Sequence, residues 1–186
     1  MRRIVILGNA GSGKSTLARQ MGERLGLPVF HLDALNWEPG WRSIPAETLR
    51  SRLREITSRD EWIVDGNYAL LTFDLSLTRA DRVIWLERPR LACICRVLRR
   101  AARSYFRADE DLARGCKERF DGRFLSRLRF IVNFDRVNRP RIEKERLKHG
   151  PHVPVTVLRG DRMVAGFLDT LGNAAPCGGT RDRVEQ

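Results

Sequence analysis

No stretch of this 186-residue chain approaches the ~20 consecutive apolar residues that a membrane span requires, so no membrane partner is expected. Cysteine is scarce. Cys93, Cys95, Cys116 and Cys177 show no paired metal-ligand spacing, which argues against a structural zinc site. Cys93 and Cys95 stand two apart and would point to different faces of a helix. Reduced thiols in a cytoplasmic protein are the expectation. A secretory pattern is missing, because RRIVIL (2–7) runs straight into a glycine-rich loop. Internal repeats are absent, as is any recognised DNA-reading element.

Acidic residues are also in short supply along one part of the chain. The net charge is +12, and residues 82–148 hold 20 Lys/Arg against 9 Asp/Glu, leaving the remainder close to neutral. Such a block suits a nucleic-acid binder. It equally suits a phosphotransferase whose arginines close over a polyanionic nucleotide.

What is present begins with GNAGSGKST, residues 8–16. It fits G-x-x-x-x-G-K-[ST], with Gly8, Gly13, Lys14 and Ser15 in the defining places and Asn9, Ala10, Gly11 and Ser12 between them. A loop that points several backbone N–H groups at one oxyanion needs positive-φ conformations and close approach, and glycine permits both. The helix that follows adds the positive end of its dipole. Lys14 is placed for the β/γ-phosphates and Ser15 for Mg²⁺, with Thr16 as the first plain helical residue. Context supports the motif. RRIVIL reads as a buried parallel strand. Leu17, Met21 and Leu25 then share one helical face, which Gly26 and Pro28 end.

The rest alternates strand and helix. Strands are expected at 28–32, 61–66, 81–87 and 153–160. Helices are expected at 45–59, with Pro45 at the first helical position, from Pro89 to about Tyr105, and through Met163, Phe167 and Leu171. This alternation predicts an α/β, three-layer fold with a parallel sheet covered on both faces. Residues 106–139 break it with arginines and with Phe106, Phe120, Phe124, Phe130 and Phe134, as a helical insertion whose phenylalanines form its own small core. The reading is one domain over 1–172 with a tail at 173–186 that is polar, Gly/Pro-bearing and expected to be disordered.

Ligands of an open parallel sheet gather at the carboxyl ends of its strands. Asp33 stands just past the second strand, where it can take a proton from an acceptor hydroxyl or hold Mg²⁺ through water. Asp65, which can do either, leaves the third strand with Asn67 and Tyr68. A carboxylate at a strand end can also be a turn residue or helix cap. Trp37 and Trp41 flank a Pro-Gly turn in NWEPGW, where they either stack a base or sugar or clasp the loop. His31 is read as orienting the Asp33 carboxylate.

GNAGSGKSTLA, HLDALNWEPGW, WIVDGNY and GCKERFD (115–121) together resemble the adenylate-kinase-related P-loop proteins often labelled DNA topology modulation proteins, over residues 1–171. The resemblance implies the nucleoside-monophosphate-kinase-like fold, with strand order 2-3-1-4-5, and ATP and Mg²⁺ as ligands. It implies that Asp33 corresponds to the acceptor-side acid of shikimate- and gluconate-kinase relatives. It makes 106–139 a lid, with Arg96, Arg100, Arg107 and Arg119 as lid or hinge arginines. Base selection would fall near Arg159. Adenylate kinases carry Asp-Gly-Phe-Pro-Arg after the third strand, whereas this chain has Asp65-Gly66-Asn67-Tyr68, with no arginine for a monophosphate. The function expected is ATP-dependent phosphoryl transfer to an unidentified small-molecule or nucleotide acceptor. The alternative is a nucleic-acid-linked ATPase or nucleotide-dependent regulator.

Overall fold

The computed structural model describes residues 1–104 and 122–172. Five parallel strands form the main sheet: β1 (Arg3–Gly8), β2 (Val29–His31), β5 (Trp62–Asp65), β6 (Arg82–Glu87) and β7 (Val155–Arg159). They lie in the order β2-β5-β1-β6-β7. Counted along the chain as the five strands of this sheet, that is the expected 2-3-1-4-5. The two remaining strands, β3 (Trp37–Glu38) and β4 (Arg42–Ser43), pair as a small antiparallel hairpin.

The unbroken apolar runs of β1 and β6 follow from cover on both sides. Side chains alternate along a strand, so Val5, Leu7, Val64, Val83 and Trp85 enter one core with Leu53, Phe73 and Ile142. Ile4, Ile6, Ile63, Ile84 and Leu86 enter the other with Leu17, Met21 and Leu168. The covering helices are α3 (Ala46–Ser58), α4 (Ala69–Ser76) and α7 (Arg139–His149) on the first face, and α1 (Lys14–Leu25) and α8 (Gly160–Thr170) on the second. Helix α1 ends at Gly26 in the left-handed region, φ 68°, where glycine is favoured. Pro45 precedes α3 rather than opening it, and α1 begins at Lys14, two residues before Thr16.

Two short helices were not anticipated, α2 (Leu32–Asn36) and α4. Helix α5 (Arg90–Ser104) follows Pro89, burying Cys93 and exposing Cys95, as their spacing requires. From the insertion, α6 (Gly122–Asn133) runs through a π-helical turn (Phe134–Asn138) into α7. The phenylalanines are not all one local core. Phe124 packs between α5 and α6 with Cys93, Val97, Ala101 and Ile131. Phe134 is buried in the main core beside Trp85 and Ile142, and Phe130 packs against that cluster. Phe106, Phe120, Cys116, the GCKERFD motif and the 173–186 tail lie outside the described residues.

Candidate active site

Strand β1 delivers the chain at Gly8 into the loop, and α1 takes it up at Lys14. Gly8, Gly11 and Gly13 have φ of 145°, 75° and 99°. A Cβ on Gly8 would lie 2.5 Å from the Leu86 carbonyl oxygen, and one on Gly11 would lie 2.6 Å from that of Cys93. The loop therefore seats against β6 and α5 with no room for side chains. Gly13 has no such neighbour, since a Cβ there would come only to 3.5 Å from Arg96; its backbone angle is what requires glycine.

Asparagines brace this loop from two sides. Asn9 Oδ1 accepts from Ala10 N at 2.8 Å, and its Nδ2 donates to the Ile131 carbonyl on α6 at 3.1 Å. Asn67 receives the Gly8 N–H at 3.2 Å and donates to the Gly8 carbonyl at 2.5 Å. Both backbone polar groups of Gly8, the loop's first residue, are thus held by one amide just past the end of β5. Lys14 Nζ donates to the Asn9 carbonyl at 2.9 Å. Burial pushes its ammonium below the ordinary lysine range, against the opposing pull of Asp65 and Asp33.

Asp65, at the end of β5, is only 4% exposed. Ser15 Oγ donates to its Oδ2 at 2.8 Å, and His31 Nδ1 approaches its Oδ1 at 2.5 Å. A carboxylate can only accept, so Nδ1 carries the proton. His31 and Asp65 are register partners across β2 and β5, which is why they meet. The sequence reading had His31 orienting Asp33, and that is corrected: its contact is Asp65. Asp33, in the first turn of α2, accepts instead from the Tyr68 hydroxyl at 2.8 Å. Burial, then the Asp33 charge, hold that phenol protonated well above the ordinary tyrosine range.

The hairpin after α2 closes the far side. Trp37 and Trp41 meet edge to face, 5.7 Å between ring centroids and 73° between planes. Trp41 has φ 61°, a strained conformation for a bulky side chain. Helix α6 holds it there: Arg127 lies 5.3 Å over the Trp41 ring and Arg123 donates to the Gly40 carbonyl at 3.2 Å.

These groups surround one cavity of about 630 Å³, within the range of small-molecule sites. It brings together Ala10, Gly11, Gly13, Lys14, Ser15, Thr16, Asp33, Trp37, Trp41, Asp65, Asn67, Tyr68 and Arg100, all named from sequence, and Arg96. Gly8, Asn9 and Ser12 do not line it; Asn9 and Ser12 are buried behind the loop. Arg159 does not line it either. Its guanidinium pairs with Glu87 at 2.7 Å, and Glu87 also binds Arg139. Burial alone would raise the Glu87 carboxyl, but the two arginines outweigh it and hold it below the usual range. Arg107 and Arg119 lie outside the described residues. Sequence reasoning did not assign His31, Gly66, Phe124, Ser126 or Phe130 to the site, nor Arg123 and Arg127 to particular contacts, although all line the cavity. The signal available was the interleaving of arginine and phenylalanine along α6.

The donor set fits a nucleotide with Mg²⁺. Among the described residues no group of three or more His, Cys, Asp or Glu could hold a metal alone. Mg²⁺ characteristically takes one or two protein oxygens and completes its shell with phosphates and water. Ser15 Oγ and Asp65 Oδ2, already together at the loop, offer such oxygens. No helix among the described residues is long and apolar enough to cross a membrane.

No protein-family profile matches the chain, and no curated protein is similar enough in sequence to count as a relative. Solved structures do match. Shikimate kinase from Acinetobacter baumannii, in complex with shikimate, superposes with a TM-score of 0.52 at 17% identity, covering 92% of this chain and 90% of that one. Shikimate kinase from Bacteroides thetaiotaomicron gives 0.49 at 16%, covering 91% and 95%. An unliganded sugar kinase from Janibacter sp. gives 0.49 at 17%, covering 95% and 96%. At such identities the likeness is one of architecture: the chain has the α/β fold of the P-loop kinases, with a five-stranded parallel sheet.

Proposed function

We propose that this chain is an ATP-dependent phosphotransferase that moves the γ-phosphoryl group to the hydroxyl of a small-molecule acceptor. The observation that carries the reading is the convergence on one cavity of the loop cation Lys14, the Ser15–Asp65 pair, and Asp33 with its bonded Tyr68. The loop amides and Lys14 hold the phosphates, and Ser15 and Asp65 would hold Mg²⁺, which when bound would supply charge neutralisation at the phosphates. Asp33 accepts the hydroxyl proton as the acceptor oxygen bonds the γ-phosphorus and the bond to the bridging oxygen breaks, leaving ADP. Arg96 and Arg100 from α5 and Arg123 and Arg127 from α6 place positive charge around the transferred group. Catalysis is positioning and electrostatics, with little covalent chemistry asked of the protein.

The insertion is read as a lid, because its described part, α6, lays two arginines and two phenylalanines on the cavity. The resemblance to DNA topology modulation proteins brings no acceptor with it. Among the described arginines of the basic segment, several are committed within the fold: Arg88 to Asp161, Arg139 to Glu87, Arg146 to Glu143. That favours a nucleotide site over a nucleic-acid surface. The deciding experiment is a screen of hydroxyl acceptors with ATP and Mg²⁺, reading ADP release above the acceptor-free background. Release raised by at least one acceptor supports transfer. Release unchanged by every acceptor but raised by DNA, and falling steeply with salt, supports the nucleic-acid-linked ATPase instead.

A further inference from the structure

We propose that the acceptor carries a flat aromatic or heteroaromatic ring beside its reacting hydroxyl, as a nucleoside does and a ring-free polyol does not; this rests on the phosphotransfer reading above. Two indoles line the cavity at Trp37 and Trp41, set 73° apart. They make a corner that offers a planar group one indole face. An indole needed only to fill space would sit inside, as Trp62 and Trp85 do at 0% and 3% exposure. Trp41 is instead partly exposed and held at φ 61°. Strain of that kind persists only where the surroundings enforce it, and here they do so visibly. Trp41 N donates to the Glu38 carbonyl at 3.0 Å, Arg127 stacks on the indole, and Arg123 holds the preceding carbonyl.

On the α6 side, Phe124 and Phe130 add apolar surface between Arg123, Ser126 and Arg127. The carboxylate suited to a hydroxyl, Asp33, sits at one end beside Tyr68. A polyol bearing hydroxyls all round would leave several unpaired against this wall, which costs binding. A ring with its hydroxyls grouped on one side meets indole with its flat face and Asp33 with its edge.

The test uses the full-length chain with Mg²⁺ and a non-hydrolysable ATP analogue. Adenosine, cytidine, uridine and thymidine are titrated against the ring-free compounds gluconate, glycerol and sorbitol, following tryptophan emission and calorimetric heat. At least one nucleoside should bind ten times more tightly than every ring-free compound and quench emission. Trp37→Leu or Trp41→Leu should weaken that nucleoside about tenfold or more, the scale of one stacked base, while Trp→Phe variants at the same sites recover most of it. Thermal melting confirms that each variant is folded. Ring-free compounds binding as well as the nucleosides, no nucleoside binding, or nucleoside affinity indifferent to both leucine variants overturns the inference. The underlying reading fails separately: ring compounds that bind through the two tryptophans, yet release no ADP from ATP, would leave the ring site standing and remove phosphoryl transfer. A ring-free acceptor that is phosphorylated does the reverse.

Discussion

The Tyr68 hydroxyl donates to Asp33 Oδ1 at 2.8 Å, so the carboxylate read as proton acceptor already holds a hydroxyl from the protein itself. That hydroxyl occupies the place an acceptor would take. Burial and the Asp33 charge hold the phenol in its protonated, donating form. It follows that Tyr68 keeps water from Asp33 until an acceptor displaces it. Tyr68→Phe should therefore raise ADP release in the absence of acceptor by about fivefold, the worth of one ~1 kcal/mol hydrogen bond. An unchanged background rate, in a variant that still binds ATP, would show that Tyr68 does not shield the carboxylate.

Lys14 contributes charge to the site and little to the fold. Its ammonium donates to the loop's own Asn9 carbonyl rather than to a neighbouring element. Lys14→Ala should cut nucleotide turnover by about 10²–10³-fold, the usual loss of one oriented transition-state donor, with the melting temperature nearly unmoved. Turnover retained in a folded variant would remove the loop from catalysis.

The acid stability of the fold has an identifiable contributor far from the cavity. Asp81 accepts the N–H groups of Arg2 and Arg3 and the Arg3 guanidinium, pinning the start of β1 to the start of β6. Burial alone would raise its pKa, but these bonds outweigh it and leave it lowered. A depressed carboxylate stabilises the fold above its unfolded pKa of about 3.9, and that contribution is lost as pH falls through the lower folded value. Asp81→Asn should thus lower the melting temperature at pH 7 by roughly 2–4 °C, about 1 kcal/mol in a chain of this size. The gap to the parent protein should narrow as pH falls below the unfolded value of about 3.9 and close once it has fallen through the lower folded one. An undiminished gap at pH 3 would mean that the charge is not what matters.

The spacing of the loop glycines made the turn between β1 and α1 legible, because one local segment sets its backbone. The acceptor side was legible only as a set of strand ends. Asp33 and Asp65 could be named there, but which partner each takes depends on strand register and on the path of α2. His31 was therefore attached to its sequence neighbour Asp33, when pairing across β2 and β5 carries it to Asp65. Helix α4 was missed because its buried face is not an apolar stripe: Ala69, Thr72, Phe73 and Ser76 share one face at i, i+3, i+4 and i+7 but two of them are polar, while Leu70 is 78% exposed. Phe130 and Phe134 were grouped with the insertion because the sequence places them there, whereas the π-helical turn brings Phe134 under Trp85. Arg159 stood at a strand end like the others, yet Glu87 takes its guanidinium.

On the proposed reading, Asp33 belongs to acceptor chemistry and Asp65 to nucleotide binding, and their different surroundings predict different variant phenotypes. Asp65 is buried and shares its oxygens between Ser15 and His31. Asp33 is exposed to the cavity side and bonded to Tyr68. Asparagine keeps the size of either side chain and removes its charge and basicity. In Asp33→Asn, affinity for ATP with Mg²⁺ should stay within about twofold, while acceptor-dependent turnover falls by about 10²–10⁴-fold, the range for a positioned base. In Asp65→Asn, the affinity for ATP should lose most of its dependence on Mg²⁺, measured by titrating the metal at fixed nucleotide, because the anionic oxygen beside Ser15 is gone. The pair of measurements also carries its own reversal. Should Asp33→Asn abolish the Mg²⁺ dependence while Asp65→Asn spares it, Asp33 holds the metal and Asp65 becomes the acceptor-side base. Should Asp33→Asn change neither quantity, the carboxylate is a turn residue at the start of α2, and its bond to Tyr68 serves only to seat the loop that follows β5.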